Sequence, residues 1–339
     1  MKYLKLKEIA KLKNGKKCNY DVKGIIPVYG SNGIIGYTDN LNSPENSIII
    51  GRVGANAGSV FYSFKKHWVT DNAISVVPNI NKINSFYLYY ALYSLDLNRL
   101  VEGSAQPLLN QSILNSLEIR VPPLSVQNSI VEKIRAFDEK IAVNNQINDN
   151  LLELMDNLFY NFFPQINVGN DLIGSFIQNY DRFRKPLSKK QRSAISGKYR
   201  YIGAASVMDY INKYNFEGIY LLLGEDGTVV DNKGYPILQY VFGKFWPNNH
   251  THVLKGKNIS TEWLYLFFRQ RKILNIVTGA VQKKISQKNL NSLEFSHPNK
   301  EDYLKFNEII QPLFRNIRIR IKENKRLRQL KQELLKQYF

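Results

Sequence analysis

The sequence has a single cysteine, Cys18, among its 339 residues. One cysteine excludes an intrachain disulfide and a cysteine-based zinc site, and such sparing use is typical of a reducing compartment. Long apolar runs are also missing. Stretches such as "GIYLLLG" are far too short to cross a bilayer, and the basic beginning "MKYLKLKEIAKLK" lacks the apolar core of a signal peptide. The sequence therefore predicts a cytoplasmic protein with no membrane segment.

Motifs of nucleotide and methyl-transfer chemistry are missing as well. No GxxxxGK[ST] phosphate loop occurs, and the glycine-rich "GRVGANAG" (Gly51–Gly58) has no acidic residue at the distance that a dinucleotide site requires. The stretch "VPPL" (Val121–Leu124) lacks both the acidic or polar first residue and the final aromatic residue of an amino-methyltransferase motif. These absences predict a chain without catalytic residues and without a cofactor of its own.

Two features leave a metal-dependent interpretation open. The turn "GEDG" (Gly224–Gly227) holds two carboxylates, and His250 and His252 fall on one side of a predicted strand. A metal ion needs further ligands, and no third one is apparent close to the histidines. An ordinary turn and a polar strand face are the favoured interpretations, so no metal site is predicted. A metal-dependent nuclease stays the alternative.

Acidic residues are scarce relative to basic ones. The chain has 28 Asp+Glu against 47 Lys+Arg, for a formal net charge of +19. Segments 1–123 and 164–299 carry net charges of +6 and +10, whereas 124–163 is net −3 and 300–339 is net +6. A basic excess of this size indicates a polyanionic partner or an anionic surface, and the two large segments are the expected contacts.

What the sequence does contain is an internal repeat. The phrase "GSAQPLLNQSILNSLEI" at 103–119 returns as "GAVQKKISQKNLNSLEF" at 279–295. Three further anchors precede it in the same order: "IPVYGSNGIIGY" with "YRYIGAASVMDY", "IIIGRVG" with "LLLGEDG", and "HWVTDNAISVV" with "FWPNNHTHVLK". The offsets lie between 173 and 178 residues, and such small differences are what loops tolerate. The order and spacing predict two copies of one structural unit.

Each copy ends in a long helical pattern. After "VPPLS", apolar residues recur in steps of four and three, and the same rungs return 176 positions later. Both ladders lose their apolar character at the same two rungs, which are Asn144 and Asn148 in the first and Arg320 and Asn324 in the second. The pattern predicts two long helices that pair along a heptad seam with a polar layer at its centre.

Repeat symmetry favours antiparallel pairing of these helices, because a duplicated unit closes most simply around a pseudo-twofold axis. Antiparallel pairing brings the four polar rungs into one layer, which fixes the register at some cost in stability. A helix of about 39 residues is about 58 Å long, which corresponds to about 17 base pairs of DNA. The alternative is that each helix packs separately on its own domain.

The remaining segments combine strands and helices. The stretches "NSIIIGRVG" and "EGIYLLLGEDG" are typical of buried strands that enter glycine turns, and Asn84–Leu95 and Ser260–Leu274 have the pattern of capped amphipathic helices. The predicted fold class is therefore α+β, with two mixed α/β domains separated by two long antiparallel coiled-coil helices in a pseudo-twofold internal repeat. The predicted segments are a domain at 1–123, a helix at 124–163, a domain at 164–299 and a helix at 300–339.

These motifs resemble those of a known family. The duplicated "PVYGS.G..GY…IIIGR.G", "GSAQPLLNQSILNSLEIRVPPLSVQNSIVEKI" and "ND.LLELMDNLF" are similar to the specificity (S) subunit of type I restriction–modification systems. The resemblance covers nearly the whole chain. It is strongest from Gly103 to Phe163 and weaker in the second copy, where "SHPNKEDY" replaces "RVPPLSVQ".

The resemblance implies a non-catalytic function. The two domains would be target recognition domains that each bind one half of a split double-stranded DNA sequence. The helices would dock methyltransferase subunits, two in number, and restriction/translocase subunits would join through the complex. S-adenosylmethionine, ATP and Mg²⁺ would then bind to the partner subunits. Open alternatives are the specificity subunit of a fused, type IIB-like restriction–methylation enzyme, a decoy that occupies methyltransferase subunits, and a self-contained nucleic-acid-modifying enzyme.

Candidates for DNA contact follow from side-chain chemistry. Lys and Arg bind phosphates, and amide or forked side chains in loops bind base edges. For any single lysine, a solvated surface position is the simpler alternative. The candidates in the first domain are Lys16, Lys17, Ser31, Asn32, Arg52, Asn56, Lys65 and Lys66. Those in the second domain are Lys189, Lys190, Arg192, Lys233, Lys244, Asn248 and Asn249.

The repeated phrase adds Gln106 and Gln282, with Lys283 and Lys284 beside the latter. A glutamine in a glycine-led polar turn can place its amide against a base edge or a phosphate. The equally favoured alternative is that the phrase is a helix cap and a motif that sets strand register.

Overall fold

The computed structural model describes residues 2–21, 24–101, 108–279 and 282–339. The chain forms two compact units. Unit 1 consists of residues 1–142 and 324–339, and unit 2 consists of residues 143–323. Their boundaries fall inside both predicted helical segments, so each unit takes one part of each long helix.

Two of the helices are much longer than the others. In the described ranges, the α-helices are α1 (Leu6–Ile9), α2 (Ser85–Ser94), α3 (Gln111–Ser116), α4 (Leu124–Phe162), α5 (Lys189–Ala194), α6 (Thr261–Arg269), α7 (Gln287–Asn291) and α8 (Lys300–Tyr338). Helices α4 and α8 have 39 residues each, and they begin 176 positions apart, as the apolar ladders predict. None of the described helices combines the length and the hydropathy needed to cross a membrane.

The strands of unit 1 form three sheets in the described ranges. The strands are β1 (Lys2–Lys5), β2 (Ala10–Asn14), β3 (Ile26–Gly30), β4 (Gly33–Thr38), β5 (Ser47–Gly51), β6 (Val60–Ser63), β7 (Trp68–Val69), β8 (Ala73–Pro78) and β9 (Glu118–Val121). One sheet has the antiparallel order β2-β8-β5-β6, a second has the order β4-β3-β7 with β3 and β7 parallel, and β1 pairs with β9. Strand β5 is buried along its whole length, as its apolar run predicts.

The strands of unit 2 follow the same plan. They are β10 (Asp171–Leu172), β11 (Ile177–Asn179), β12 (Ser196–Ile202), β13 (Val207–Ile211), β14 (Phe216–Gly224), β15 (Leu238–Pro247), β16 (Thr251–Gly256) and β17 (Glu294–Phe295). The main sheet has the order β11-β16-β14-β15-β12-β13, and β10 pairs with β17. The long strand β15 pairs antiparallel with β14 and parallel with β12. In unit 1 two strands share these pairings, since β6 pairs antiparallel with β5 and β7 pairs parallel with β3.

Helices α2 and α6 begin at corresponding polar caps. The Asn84 side chain accepts from the backbone N–H groups of Phe86 and Tyr87, and the Ser260 hydroxyl accepts from that of Trp263. Helix α6 is shorter than the predicted segment 260–274 and ends at Arg269. The prediction was too long because the Ile273 N–H donates to the Gly234 carbonyl at 3.0 Å and so leaves the helical pattern.

Each unit packs its parts of the long helices into its own core. In unit 1, Ile130 and Ile134 of α4 and Leu335 of α8 are buried with strand and α2 residues. In unit 2, Phe159 of α4 and Phe306 of α8 are completely buried with α6 residues. Burying such side chains contributes roughly 1.5–3 kcal/mol each, so the helices are integral to both cores.

The two long helices pair antiparallel. In unit 2, Asn144 on α4 contacts Glu323 on α8, and Phe159 packs against Phe306 with ring centroids 5.6 Å apart. Residue numbers therefore rise along α4 as they fall along α8. This confirms the predicted antiparallel pairing.

The residues of the predicted polar layer are mostly buried. Asn144, Asn148 and Asn324 are buried, and Arg320 is half-buried. The Asn144 amide Nδ2 donates to Glu323 Oε2 at 2.8 Å, a partner that the ladder did not predict. Among the described residues, Asn148 Oδ1 and Arg320 Nη1 have no hydrogen-bond partner. Their role in fixing the register stays a prediction.

Candidate nucleic-acid interface

Ser31 lies at a junction of three chain segments in unit 1. Its hydroxyl Oγ accepts from the backbone N–H groups of Arg52 and Val53, both at 3.2 Å, and donates to the Asn72 carbonyl at 2.5 Å. A side chain at Gly51 would place its Cβ 2.5 Å from the Asn56 carbonyl oxygen, so this turn requires glycine. Ser31 therefore shapes the loop that presents its neighbours.

The other candidates of unit 1 are mainly exposed. The ion pairs of the described part of unit 1 do not involve its four candidate lysines. Arg52 is half-buried, and its Nε has no hydrogen-bond partner among the described residues. The exposed candidates are Lys16, Lys17, Asn32, Asn56, Lys65 and Lys66.

A tryptophan fastens one basic loop in each unit. Trp68 Nε1 donates to the Lys16 carbonyl at 2.7 Å, and Trp246 Nε1 donates to the Lys185 carbonyl at 2.6 Å. The tryptophans are 178 positions apart, on one of the repeated anchors. Because each bond uses a backbone carbonyl, the ammonium groups of Lys16 and Lys185 stay available on exposed side chains.

The candidates of unit 2 divide into exposed and internally bound residues. Arg192 donates to Asp209 Oδ2 at 3.2 Å and to the Leu187 carbonyl at 2.8 Å. Asn248 is 3% exposed, and its Oδ1 accepts the His250 backbone N–H at 2.9 Å. The exposed candidates are Lys189, Lys190, Lys233, Lys244, Asn249, Gln282, Lys283 and Lys284.

Lys244 stands in a small polar and aromatic cluster. Its ammonium lies 4.5 Å from the Tyr214 ring centroid and 3.9 Å from Glu217 Oε2. The hydrogen bond with Tyr214 and the charge of Glu217 raise the pKa of Lys244. Both neighbours therefore favour the protonated ammonium of Lys244.

The repeated phrase sets backbone register in both units. In unit 1 the Leu109 N–H donates to the Arg52 carbonyl at 2.9 Å, and in unit 2 the Ile285 N–H donates to the Glu225 carbonyl at 2.8 Å. The phrase thus binds the glycine turn after the central strand. It then enters α3 and α7, whose caps Asn110 and Ser286 lie 176 positions apart. The helix-cap and register interpretation of the phrase therefore has direct contacts in its favour.

The two glutamines of the phrase have different outcomes. Gln106 lies outside the described residues, and Gln282 is exposed beside Lys283 and Lys284. The Lys284 ammonium is 3.8 Å from Glu225 Oε1. DNA contact by these residues stays a prediction.

Sequence reasoning missed a cluster of ionisable side chains in unit 2. Arg184 Nη1 lies 2.6 Å from Glu225 Oε2. His252 is 1% exposed, with Nδ1 2.6 Å from Asp181 Oδ2 and Nε2 2.8 Å from the Ile285 carbonyl oxygen. The sequence signals for Glu225 and His252 were noticed, but Asp181 and Arg184 fall in "YDRFRKP", outside the repeated anchors.

Hydrogen-bond geometry constrains this cluster. A carbonyl oxygen and an ionised carboxylate only accept hydrogen bonds, so the contacts of His252 suit a ring that donates from both nitrogens. Burial raises the pKa of Asp181, but the hydrogen bond and charge of His252, with the Val253 backbone N–H, outweigh it and lower the pKa. Two carboxylates thus face the imidazole of His252 and the guanidinium of Arg184.

A metal ion does not fit this cluster. The potential ligand atoms of Asp181, Glu225 and His252 lie within 4.8 Å of one another. A doubly protonated imidazole has no lone pair for a metal, and Arg184 already supplies positive charge to the carboxylates. His250, which the sequence grouped with His252, pairs with Asp226 instead. The cluster therefore acts as an ion-pair network that joins the segment before α5, the turn after β14 and strand β16.

Comparison with known proteins gives the family. Two copies of one domain, each with the same turn, tryptophan and phrase contacts, define a duplicated protein with different exposed side chains in each copy. A family model for the type I restriction modification DNA specificity domain matches residues 1–153 and 174–332. These matches take up most of the chain, so the chain belongs to the type I restriction modification DNA specificity domain family, as the motifs predict.

Individual relatives match shorter stretches. A Haemophilus influenzae protein assigned as a type I restriction enzyme specificity subunit is 33% identical over 116 residues, which are 34% of this chain and 29% of that protein. The Escherichia coli type I restriction enzyme EcoprrI specificity subunit is 34% identical over 116 residues, which are 34% of this chain and 28% of that protein. The matched segments span less than a third of either relative.

A solved structure matches over the whole chain. The crystal structure of a type I restriction-modification system S subunit from M. genitalium has a TM-score of 0.60 and 17% identity, and the match covers 100% of this chain and 96% of that one. At this identity the likeness concerns the fold. The predicted fold class, with mixed domains, paired long helices and an internal repeat, is confirmed.

Proposed function

We propose that this chain is the DNA sequence-specificity subunit of a type I restriction–modification complex. Each unit carries one target recognition domain, and each domain reads one half of a bipartite DNA sequence. Helices α4 and α8 dock methyltransferase subunits, two in number, and restriction/translocase subunits join through them. S-adenosylmethionine, ATP and Mg²⁺ bind to those partners, and this chain contributes recognition without catalysis.

One observation carries the proposal: the two units repeat their internal contacts but not their exposed side chains. The tryptophan bonds and the phrase-to-turn bonds recur at corresponding positions. In contrast, the exposed Asn32 of unit 1 corresponds to the exposed Ala205 of unit 2 at the repeat offset of 173. A duplicated scaffold with different surfaces suits a recognition sequence whose two halves differ.

The exposed basic residues support a DNA partner. The loops fastened by Trp68 and Trp246 present Lys16 and Lys185, and the chain as a whole has a net charge of +19. Phosphate contacts of this kind position a protein on DNA, while amide side chains such as Asn32 and Asn249 can read base edges.

The decisive experiment maps modified adenines. The chain is expressed with a type I methyltransferase subunit from the same host, and the host DNA is sequenced for methyladenine with and without this chain. We expect methylation at a bipartite motif only when both are present. An unchanged methylation pattern would refute the proposal, and methyl transfer by the purified chain with S-adenosylmethionine alone would establish a self-contained enzyme instead.

We expect DNA affinity to fall steeply with salt. Each phosphate contact releases counterions, so replacing Lys16 and Lys17 by glutamine should reduce the slope of log K against log salt by about 1.8. Fluorescence anisotropy with the cognate duplex from 50 to 300 mM salt, about the usual range for such titrations, measures the slope. The matched control replaces Lys300 and Lys305 of α8 by glutamine. An equal change of the salt slope in both variants would contradict the assignment of Lys16 and Lys17 to the interface.

A further inference from the structure

Unit 1 has an open groove beside its long helix. The groove has a volume of about 690 Å³ and lies between strands β4 and β6 and helices α2 and α4. Phe64 on its rim is 60% exposed, although large aromatic side chains are usually covered. The side chains that shape it include Tyr62, Phe64, Phe86, Tyr89, Arg135 and Asp138.

The aromatic floor of this groove has a counterpart in unit 2. Tyr62 and Tyr89 have ring centroids 5.8 Å apart, and Tyr240 and Tyr265 have ring centroids 5.5 Å apart. Tyr62 lies opposite Ile48 in its strand pair, just as Tyr240 lies opposite Leu221. The same pair of tyrosines is therefore built twice.

In unit 2 the chain covers this floor with its own side chains. Phe314 of α8 is completely buried, with its ring centroid 5.0 Å from that of Tyr240 and 6.1 Å from that of Tyr265. Arg318, one turn further along, donates from Nη1 to Glu262 Oε1 at 3.0 Å and to the Tyr240 hydroxyl. An aromatic ring and a guanidinium thus fill the space.

In unit 1 the corresponding positions of α4 leave the space open. Helices α4 and α8 correspond at an offset of 176, which aligns Asp138 with Phe314 and Ala142 with Arg318. Asp138 accepts the Tyr90 hydroxyl at 2.8 Å and pairs with the Lys331 ammonium at 2.7 Å, so it does not cover the floor. Ala142 is exposed. The groove is the space that Phe314 and Arg318 occupy in unit 2.

The charges around the groove indicate the chemistry of its occupant. Its ionisable lining residues are Arg135, Asp138 and Glu139, beside seven aromatic side chains, one amide and several aliphatic or small side chains. With the Lys331 ammonium that pairs with Asp138, these charges sum to zero, in a chain whose net charge is +19. A neutral, mainly aromatic lining offers no net attraction to a phosphate backbone, whereas an aromatic side chain of a protein is suited to it.

We infer that this groove is a docking site for an aromatic side chain of a partner protein, which takes the place that Phe314 takes in unit 2. The inference rests on the proposed function, which makes that partner the methyltransferase subunit. Because unit 2 covers its own floor, the contact exists at unit 1 and not at unit 2. Buried aromatic anchors of this kind dominate the affinity of many interfaces.

Two variants of the full chain test the inference. The double variant Asp138→Phe with Ala142→Arg fills the groove with the residue types that Phe314 and Arg318 provide in unit 2. The variant Phe64→Ala removes the exposed aromatic ring at the rim and leaves the buried core unchanged. The control is Tyr3→Ala, an exposed aromatic residue on β1, outside the groove and the long helices. Calorimetry measures binding to the purified methyltransferase subunit, and fluorescence anisotropy measures DNA binding by the chain alone.

We expect both groove variants to raise the Kd for the methyltransferase subunit about tenfold or more, with Tyr3→Ala and all DNA affinities within about twofold of wild type. Unchanged partner affinity in both groove variants would overturn the inference and leave the proposed function intact. Weaker DNA binding with normal partner binding would also overturn it and make the occupant a nucleic acid. Absence of partner binding by the wild-type chain would refute the proposed function itself, and the groove assignment with it.

Discussion

Replacing Arg184 by methionine is expected to lower the stability of unit 2 by about 3–5 kcal/mol. Arg184 contacts Glu225 at 2.6 Å and the Thr251 carbonyl at 2.7 Å, and its side chain is only 14% exposed. Methionine has a similar length but no charge, so the partly buried Glu225 carboxylate would lose its nearest partner and keep only Lys284 and His252, each 3.8 Å away. Amide hydrogen exchange reads the free energy of opening of each unit separately and is the measurement of choice.

The neighbouring arginine provides a matched control. Arg182 lies two residues away, is exposed and stacks on the Phe183 ring at 4.6 Å, so Arg182→Met should change stability by less than about 0.5 kcal/mol. Adding Glu225→Gln to Arg184→Met should restore part of the loss by removing the carboxylate that has lost its nearest partner. A loss under about 1 kcal/mol in Arg184→Met would show that the network contributes little.

The same network predicts a pH dependence. The pKa of Asp181 is lowered in the folded state. A lowered pKa means that the contribution of Asp181 is fully present above the unfolded value of about 3.9 and is lost as the pH falls through the lower folded value. The stability difference between wild type and Asp181→Asn should thus be present at about pH 5 and shrink below about pH 4.

Deleting one heptad from each long helix should move the methylated site. The suitable segments are 142–148 in α4 and 320–326 in α8, because they lie opposite each other in the antiparallel pair. Their removal also keeps the apolar ladder intact, since Ile141 is then followed by Leu151, and Ile317 by Leu327, at the spacing of the heptad. Seven residues rise about 10 Å, so the non-specific gap of the recognised sequence should shorten by about three base pairs. Sequencing of methylated host DNA shows the new gap and the loss of the original sites.

A single deletion is the control for this experiment. Removing 142–148 alone shifts α4 by two turns against an unaltered α8, which breaks the packing of both cores, so methylation should disappear. A methylated motif with an unchanged gap after the paired deletion would contradict the assignment of the spacing to the helices.

The long helices show what a sequence pattern can predict. Rungs 176 positions apart predicted both helices, because burial of a heptad seam is a strong and local signal, and the symmetry of the repeat predicted their antiparallel pairing. Helix α8 even continues through Pro312, which lies on its exposed face, although proline disfavours helix interiors. The compact units could not be predicted, because they depend on which half of each helix joins which core.

The candidate interface shows where sequence reasoning ends. Side-chain chemistry selected Asn248 and Lys16 alike, but Asn248 is buried and bound to its own turn while Lys16 is exposed. The Asp181 and His252 pair joins residues 71 positions apart, and no periodicity connects them. Burial and long-range pairing of single polar residues are tertiary properties, so a pattern of residue types does not contain them.

The composition of unit 1 has a consequence for biosynthesis. Leu335 is buried in its core and Lys331 is bound to Asp138, so this unit is built from residues at both ends of the chain. Unit 2 is one uninterrupted stretch. A ribosome delivers polypeptide from the amino end onward, so residues 1–142 are made well before the α8 residues that complete their core. Unit 2 therefore has all of its residues before unit 1 does, and the core of unit 1 closes only after residues 324–339 have been made.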